Sequence, residues 1–214
     1  MRVGILGSGD VAKTLGSGFV ELGHEVKLGS RTPESDGLVA WKKAAGERAT
    51  LGTFADAAAF GEVVVVSTRG VENENAIRLA GLPHFAGKVV IDTTNPLKFV
   101  PNAMPTLAYG GTDSAGERVQ KLLPEAQVVK AFNSVGNVHM FRPKFSGGPP
   151  DMFYCGNDAG AKKKVAEWLR SFGWNPVDTG GIESSRELES LCILWVTLGA
   201  LGGSWDIAFK ILHK

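Results

Sequence analysis

The chain opens on Met1-Arg2-Val3-Gly4-Ile5-Leu6 and runs straight into Gly7-Ser8-Gly9-Asp10-Val11-Ala12. A short apolar run, a Gly-x-Gly-x-x-Ala turn, and then Val11, Leu15, Phe19 and Leu22 at helical spacing predict strand, tight turn and helix in immediate succession. Gly23 stops the helix. Each turn position has a physical reason. Gly7 permits a sharp exit from the strand, Gly9 leaves no side chain in front of a pyrophosphate, and Ala12 lets helix and strand pack closely. The free N–H groups and the positive dipole end of the helix then face the phosphates. Such a turn alone is a weak signal. Between a predicted strand and a predicted helix it points to dinucleotide binding rather than to a plain connection.

The same alternation continues. Strands are expected at Arg2–Leu6, Glu25–Leu28, Val63–Ser67, Lys88–Asp92 and Gln127–Phe132, and helices at Glu34–Ala45 with Pro33 at its start, Glu72–Ala80 and Ser114–Leu123. The β-branched run at Val63 has the character of a central strand covered on both faces. Beyond the loose Phe145–Pro150 loop, a strand at Met152–Cys155, a helix over Ala159–Phe172, a strand at Pro176–Asp178 and a long apolar helical region from Ser184 to about Leu212 follow. Alternation of this kind implies right-handed βαβ units. The fold class is α/β: a Rossmann-type, doubly wound, mostly parallel sheet with a small C-terminal helical extension. The 214 residues suit one dinucleotide-binding domain, with 1–140 as the binding core and 141–214 packed on it.

The second strand ends about 20 residues after the glycine turn, where an NAD site carries Asp or Glu to accept from the ribose 2′-OH. This chain has Gly29-Ser30-Arg31-Thr32 there. Arg31 can pair with a 2′-phosphate, Ser30 and Thr32 add neutral donors, and no carboxylate at the tip repels the phosphate. NADP(H) is therefore expected over NAD(H). Ligands in such sheets bind outside the carboxyl ends of the strands. Thr68 and Arg69, Asn95 and Pro96, and Asn133, Val135 and Asn137 follow three further strands, and are candidates for contact with the nicotinamide end. Each of these loops is also compatible with ordinary turn chemistry.

The remaining features mainly exclude. The 23 basic and 22 acidic residues leave a net charge of +1, and no basic field for nucleic acid. Lys162-Lys163-Lys164 sits in a helical pattern and suits a solvated face. Cys155 and Cys192 form no zinc set and fit buried, reduced thiols. No metal site, membrane span or leader is visible, so a cytoplasmic enzyme acting on a small molecule is expected. None of His24, His84, His139 and His213 falls at a predicted strand end. Tyr109 and Tyr154 lack the Tyr-x-x-x-Lys spacing, and Lys130 lies inside a strand. No catalytic acid or base is assigned. That argues against ketone reduction and is compatible with hydride transfer to a flavin-like ring, which needs mainly stacking and alignment. An imine reductase and a non-catalytic NADP(H) sensor remain alternatives.

GSGDVA, the GSRT tip, VVKAFNSVG and CGND with ESSRELESL together resemble the NADPH-dependent coenzyme F420 (deazaflavin) oxidoreductases, over nearly the whole chain. The same segments are similar to the cytosolic NADPH-binding domain of membrane ferric reductases, which use a flavin. The resemblance implies Ser8 to Val11 at the pyrophosphate, Ser30 and Arg31 at the 2′-phosphate, Thr68 and Arg69 near the nicotinamide, and Asn133 to Asn137 beside its ring. It implies a flavin or deazaflavin as second substrate, and allows Arg186 to meet an acidic tail or phosphate. The chain departs from the deazaflavin reductases at Asn133, where they carry His, and at Thr68-Arg69-Gly70, where they carry an apolar-Pro-Trp turn. The apolar face of the last helix, from Leu188 through Trp195 and Leu198 to Trp205, suits core packing together with a homodimer contact.

Overall fold

Four successive valines, Val63–Val66, are completely buried, which requires a strand covered on both faces. The computed structural model, which describes residues 1–212 and 214, places them at the centre of an eight-stranded sheet. The strands are β1 (Arg2–Leu6), β2 (Glu25–Gly29), β3 (Ala49–Gly52), β4 (Val63–Val66), β5 (Val89–Asp92), β8 (Gln127–Lys130), β9 (Asp151–Gly156) and β10 (Asn175–Asp178). The other two, β6 (Leu97–Lys98) and β7 (Thr106–Leu107), form a separate antiparallel hairpin. The sheet order is β10-β9-β8-β5-β4-β1-β2-β3, all parallel except the antiparallel β8–β9 pair. This is the mostly parallel, Rossmann-type α/β sheet expected.

The helices are α1 (Asp10–Glu21), α2 (Asp36–Ala45), α3 (Phe54–Phe60), α4 (Asn73–Ala80), α5 (Ala115–Leu122), α6 (Ala159–Ser171) and α7 (Ser185–Gly202). The valines of β4 alternate between the two faces. Val63 and Val65 join a core with α1, α2 and α6, while Val64 and Val66 join one with α3, α4, α5 and α7. On the first face Phe172 collects Phe19, Phe132 and Phe141 at ring separations of 4.8, 5.5 and 5.0 Å. On the second, α3 lies directly on β1: a Cβ on Gly4 would stand 2.0 Å from the Ala57 carbonyl oxygen.

Several elements differ from the sequence reading, the β6–β7 hairpin among them. The pair β3 and α3 is additional; its helix is short and alanine-rich, and starts at a capping box between Thr53 and Asp56. The helix expected from Glu34 starts at Asp36, behind Ser35, so Pro33 lies outside it. The last helix stops at Gly202 rather than near Leu212, because Gly203 turns left-handed at φ 65°. The chain then folds back. Trp205 stacks on Trp195 at 5.3 Å and fills the space above Gly199, the Trp195 Nε1–H donates to the Ile207 carbonyl, and the Asp151 N–H donates to the Phe209 carbonyl.

Lys130 is more than a strand residue. It is wholly buried at the end of β8, and its ammonium donates to Asp92 Oδ2 at 2.8 Å and to the Thr94 carbonyl at 2.7 Å. Glu189 Oε1 of α7 stands 2.9 Å away, and that carboxylate also accepts the Ala115 and Gly116 N–H groups in the first turn of α5. Burial works against the ammonium, but Asp92 and Glu189 more than offset it and hold Lys130 above its ordinary value. Burial pushes the Glu189 carboxyl up, with Lys130 opposing.

Two outcomes are expected. Lys130→Met leaves two carboxylates buried without their cation and should lower unfolding stability by about 3–5 kcal/mol in urea titration. Burial also pushes the Cys155 thiol up to about 11 and the Cys192 thiol up to about 12. Both should resist Ellman's reagent at about pH 8 until denaturant is added. Unfolded thiols ionise near pH 8.5 while the native ones keep their protons, so this contribution lowers stability as pH rises above about 8.5.

Candidate dinucleotide-binding cleft

Strands β1, β2 and β3 step outward in one direction, and β4 returns to the other side of β1. That reversal opens a crevice at the carboxyl ends of β1 and β4, where such sheets take their ligands. A cleft of about 840 Å³ occupies the place. Gly7, Ser8, Gly9, Asp10 and Val11 line it from the first turn, Ser30, Arg31 and Thr32 from the tip of β2, Thr68 and Arg69 from the end of β4, and Asn95 from beyond β5. Eleven positions singled out in the sequence thus converge on one cavity.

The glycine turn has the expected geometry. Gly7 sits at φ 148°, and a Cβ there would stand 2.4 Å from the Ser67 carbonyl oxygen, so a side chain is excluded twice over. A Cβ on Gly9 would meet nothing within 4 Å, so its face of the turn is open. Gly9 is also the N-cap of α1 and supplies no side-chain cap. The leading N–H groups of the helix are therefore left for a ligand of negative charge. Ser67 Oγ, in the cleft wall, is buried without a protein partner. An open cradle, uncapped N–H groups and an unpartnered hydroxyl suit a pyrophosphate and its ribose.

At the tip of β2, Ser30 is buried and its hydroxyl accepts the Thr32 N–H at 3.1 Å. Arg31 is exposed and, among the described residues, has no carboxylate within 4 Å, so its guanidinium is available. The carboxylates in the lining are Asp10 and Glu72, neither of them on this tip.

The other end of the cleft rests on a hydrogen-bonded chain. Thr68 Oγ1 bonds Asn73 Oδ1 at 2.7 Å, Asn73 Nδ2 bonds Thr94 Oγ1 at 2.6 Å, and Thr94 Oγ1 bonds Asp92 Oδ1 at 2.7 Å, beside Lys130. Thr94 belongs to the polar loop that the sequence places after β5, but Asn73 and Asp92 were missed, because nothing local marks polar residues on separate segments as one network. Sequence reasoning also missed Leu97 and Phe99, which bring the β6–β7 hairpin into the cleft wall.

Pro96, Asn133, Val135 and Asn137 do not line the cleft. Phe132 leaves β8 at φ 62°, a strained backbone for a bulky residue, with its ring held against Phe172. Asn133 then turns inward. Its amide donates to Asn95 Oδ1 and to the Leu188 carbonyl of α7, while Asn95 Nδ2 donates to the Asn133 carbonyl at 2.7 Å. Asn133 thus holds Asn95 from behind the cleft wall. Val135 belongs to the core, and Asn137 opens a short turn beyond it.

Other candidates lie elsewhere. His139 pairs with Asp206 at 2.8 Å, His24 packs on Phe19, and neither it nor His84 reaches the cleft; His213 lies outside the described residues. Arg186 is engaged by Glu117 through Nε at 2.8 Å and a second bond from Nη2, and this pairing holds the Glu117 carboxyl below its ordinary value. No cluster that could hold a metal, and no helix long and apolar enough to cross a membrane, occurs among the described residues. Along α7, Leu194, Leu198 and Leu201 are exposed.

Comparison with known proteins places this architecture. Residues 2–96 match the family model described as NADP oxidoreductase, coenzyme F420-dependent. The solved structure of a protein from Arthrobacter sp. FB24, provisionally assigned as an F420-dependent NADP reductase, is 37% identical, covers 100% of both chains and superposes with a TM-score of 0.94. The F420-dependent NADP reductase of Methanocaldococcus jannaschii is 31% identical over 145 residues, 67% of this chain and 64% of that one. Metalloreductase STEAP3 of Rattus norvegicus is 32% identical over 197 residues, 89% of this chain; the match spans only 36% of that relative's length. The full-length match at 37% identity to the Arthrobacter protein, on the glycine turn and strand order described above, makes this chain a member of the coenzyme F420-dependent NADP oxidoreductase family.

Proposed function

We propose that the protein is an NADP(H)-dependent oxidoreductase that passes a hydride between NADPH and a deazaflavin (coenzyme F420) or flavin ring. The observation that carries the cofactor assignment is Arg31, exposed and, among the described residues, without an acidic partner at the tip of β2. The likeness to F420-dependent NADP reductases supports the deazaflavin, and the likeness to metalloreductases keeps a flavin as the second acceptor to test. Bound in the cleft, NADPH would supply the hydride.

The residues themselves bind and align. Gly7 to Val11 receive the pyrophosphate on the first turn of α1. Ser30, Arg31 and Thr32 hold the 2′-phosphate. Thr68, Arg69 and Asn95 face the nicotinamide half, with Asn133 bracing Asn95. Among the described residues no His, Cys, Tyr or Lys lines the cleft. The ionisable acids in the lining are Asp10 and Glu72, and on this reading the protein's main contribution is position. Its setting is cytoplasmic, and the exposed Leu194, Leu198 and Leu201 are the surface for a second copy of the chain.

Two measurements test this reading. Arg31→Ala should weaken NADPH binding by about 1.5–3 kcal/mol, the range for a lost charged hydrogen bond, and leave NADH binding nearly unchanged; equal losses would remove Arg31 from the 2′-phosphate. NADPH oxidation by the purified protein, with coenzyme F420, FMN and FAD in parallel, should show turnover with one of them. Tight NADPH binding without turnover on any would redirect the assignment to a small-substrate reductase or a sensor.

A further inference from the structure

The chain of hydrogen bonds behind the cleft has a direction. Asp92 Oδ2 accepts a hydrogen bond from the Lys130 ammonium, and Asp92 Oδ1 accepts one from the Thr94 N–H at 3.0 Å. With the ammonium at one oxygen and an N–H at the other, the Asp92 carboxylate faces donors on both sides, and the Thr94 hydroxyl donates its single proton to Oδ1 at 2.7 Å. Thr94 Oγ1 can then only accept from Asn73, which fixes the amide nitrogen of Asn73 on that side at 2.6 Å. Asn73 therefore turns Oδ1 toward Thr68, and an amide oxygen only accepts, so the Thr68 hydroxyl donates to it at 2.7 Å. The ambiguities that usually attend an asparagine and two hydroxyls are resolved from the buried end. Thr68 has no proton left, and it lines the cleft.

We propose that Thr68 is an obligate hydrogen-bond acceptor for the cofactor: its lone pairs select an N–H or O–H donor on the nicotinamide nucleoside, either the carboxamide or a ribose hydroxyl. Lys130 and Asp92 act as positioning residues, setting the polarity of that hydroxyl through Thr94 and Asn73. The inference rests on the NADP(H) reading above and adds to it a specific contact at the end of the cleft remote from Arg31.

The test is calorimetric and needs no acceptor. NADP+, its 3-acetylpyridine analogue and adenosine 2′,5′-bisphosphate are titrated into wild type, Thr68→Val and Thr68→Ser. The valine variant matches the threonine in shape and lacks the oxygen. It should bind NADP+ about 3- to 10-fold more weakly, the range of one neutral hydrogen bond, and bind the bisphosphate as wild type does. The serine variant should bind NADP+ like wild type. The acetylpyridine analogue has no amide N–H. If it binds wild type and Thr68→Val alike, the donor is the carboxamide; if it loses the same factor as NADP+, the donor is a ribose hydroxyl. Undiminished NADP+ binding by Thr68→Val overturns the inference and leaves the NADP(H) reading standing. So does an equal loss in Thr68→Ser, or a matching loss of the bisphosphate, since the residue would then act only through the fold. A wild type that binds neither NADP+ nor the bisphosphate removes the NADP(H) reading itself.

Discussion

One buried ammonium organises the carboxyl edge of the sheet. Lys130 touches Asp92 from the neighbouring strand β5, the carbonyl of Thr94 just beyond it, and Glu189 from α7, and Glu189 in turn receives the first N–H groups of α5. Removing such charges from water is costly, and the arrangement holds only with every donor and acceptor used. That requirement is geometric as well as energetic. It sets the spacing between two strands, a helix start and the last helix at one point. A few residues away, Asn133 repeats the link in neutral form, joining Asn95 to the Leu188 carbonyl of the same helix.

The other half of the cleft depends on close approach instead of charge. Gly4 lets α3 rest on β1, and Gly7 lets the first turn pass over the Ser67 carbonyl. Both positions exclude even a methyl group, and both place backbone where a side chain would otherwise stand. The glycine-turn end of the cleft is thus shaped by closely packed peptide groups, with Arg31 as a charged side chain at its margin. The opposite end is built of side-chain hydroxyls and amides anchored to buried ions. The two ends differ in material, and on the proposed reading the difference fits their tasks: main-chain N–H groups suit phosphate, and directed side-chain groups suit a neutral, planar amide and its sugar.

What was legible in the sequence was what is local. The glycine turn, the Arg31 tip and the valine strand each declare themselves within six residues or fewer, through conformational freedom, missing charge or β-branched burial. The strand ends followed, and eleven of the fifteen candidate positions line the cleft. Asn133, Val135 and Asn137 lay at a strand end by the same logic. The left-handed turn at Phe132 sends the chain inward there, and no local signal announces it. The Lys130 cluster was illegible for another reason. Its members are 38 and 59 positions apart in the chain, and an isolated lysine in an apolar strand carries no sign of its partners. The helix α3 was too short for periodicity to show, although Thr53 and Asp56 mark its start. Gly202-Gly203 marked the true end of α7, against an apolar pattern that continues past it.

The outermost strand β10 includes Pro176, where a residue with no N–H breaks the run of donors that a free sheet edge presents. A sheet of eight strands has two such edges, each a template on which another chain can add a strand. The proline spoils one of them. At the other, β3 is only four residues long, too brief to seat a long partner. The molecule therefore resists growing by strand addition at either edge of its main sheet.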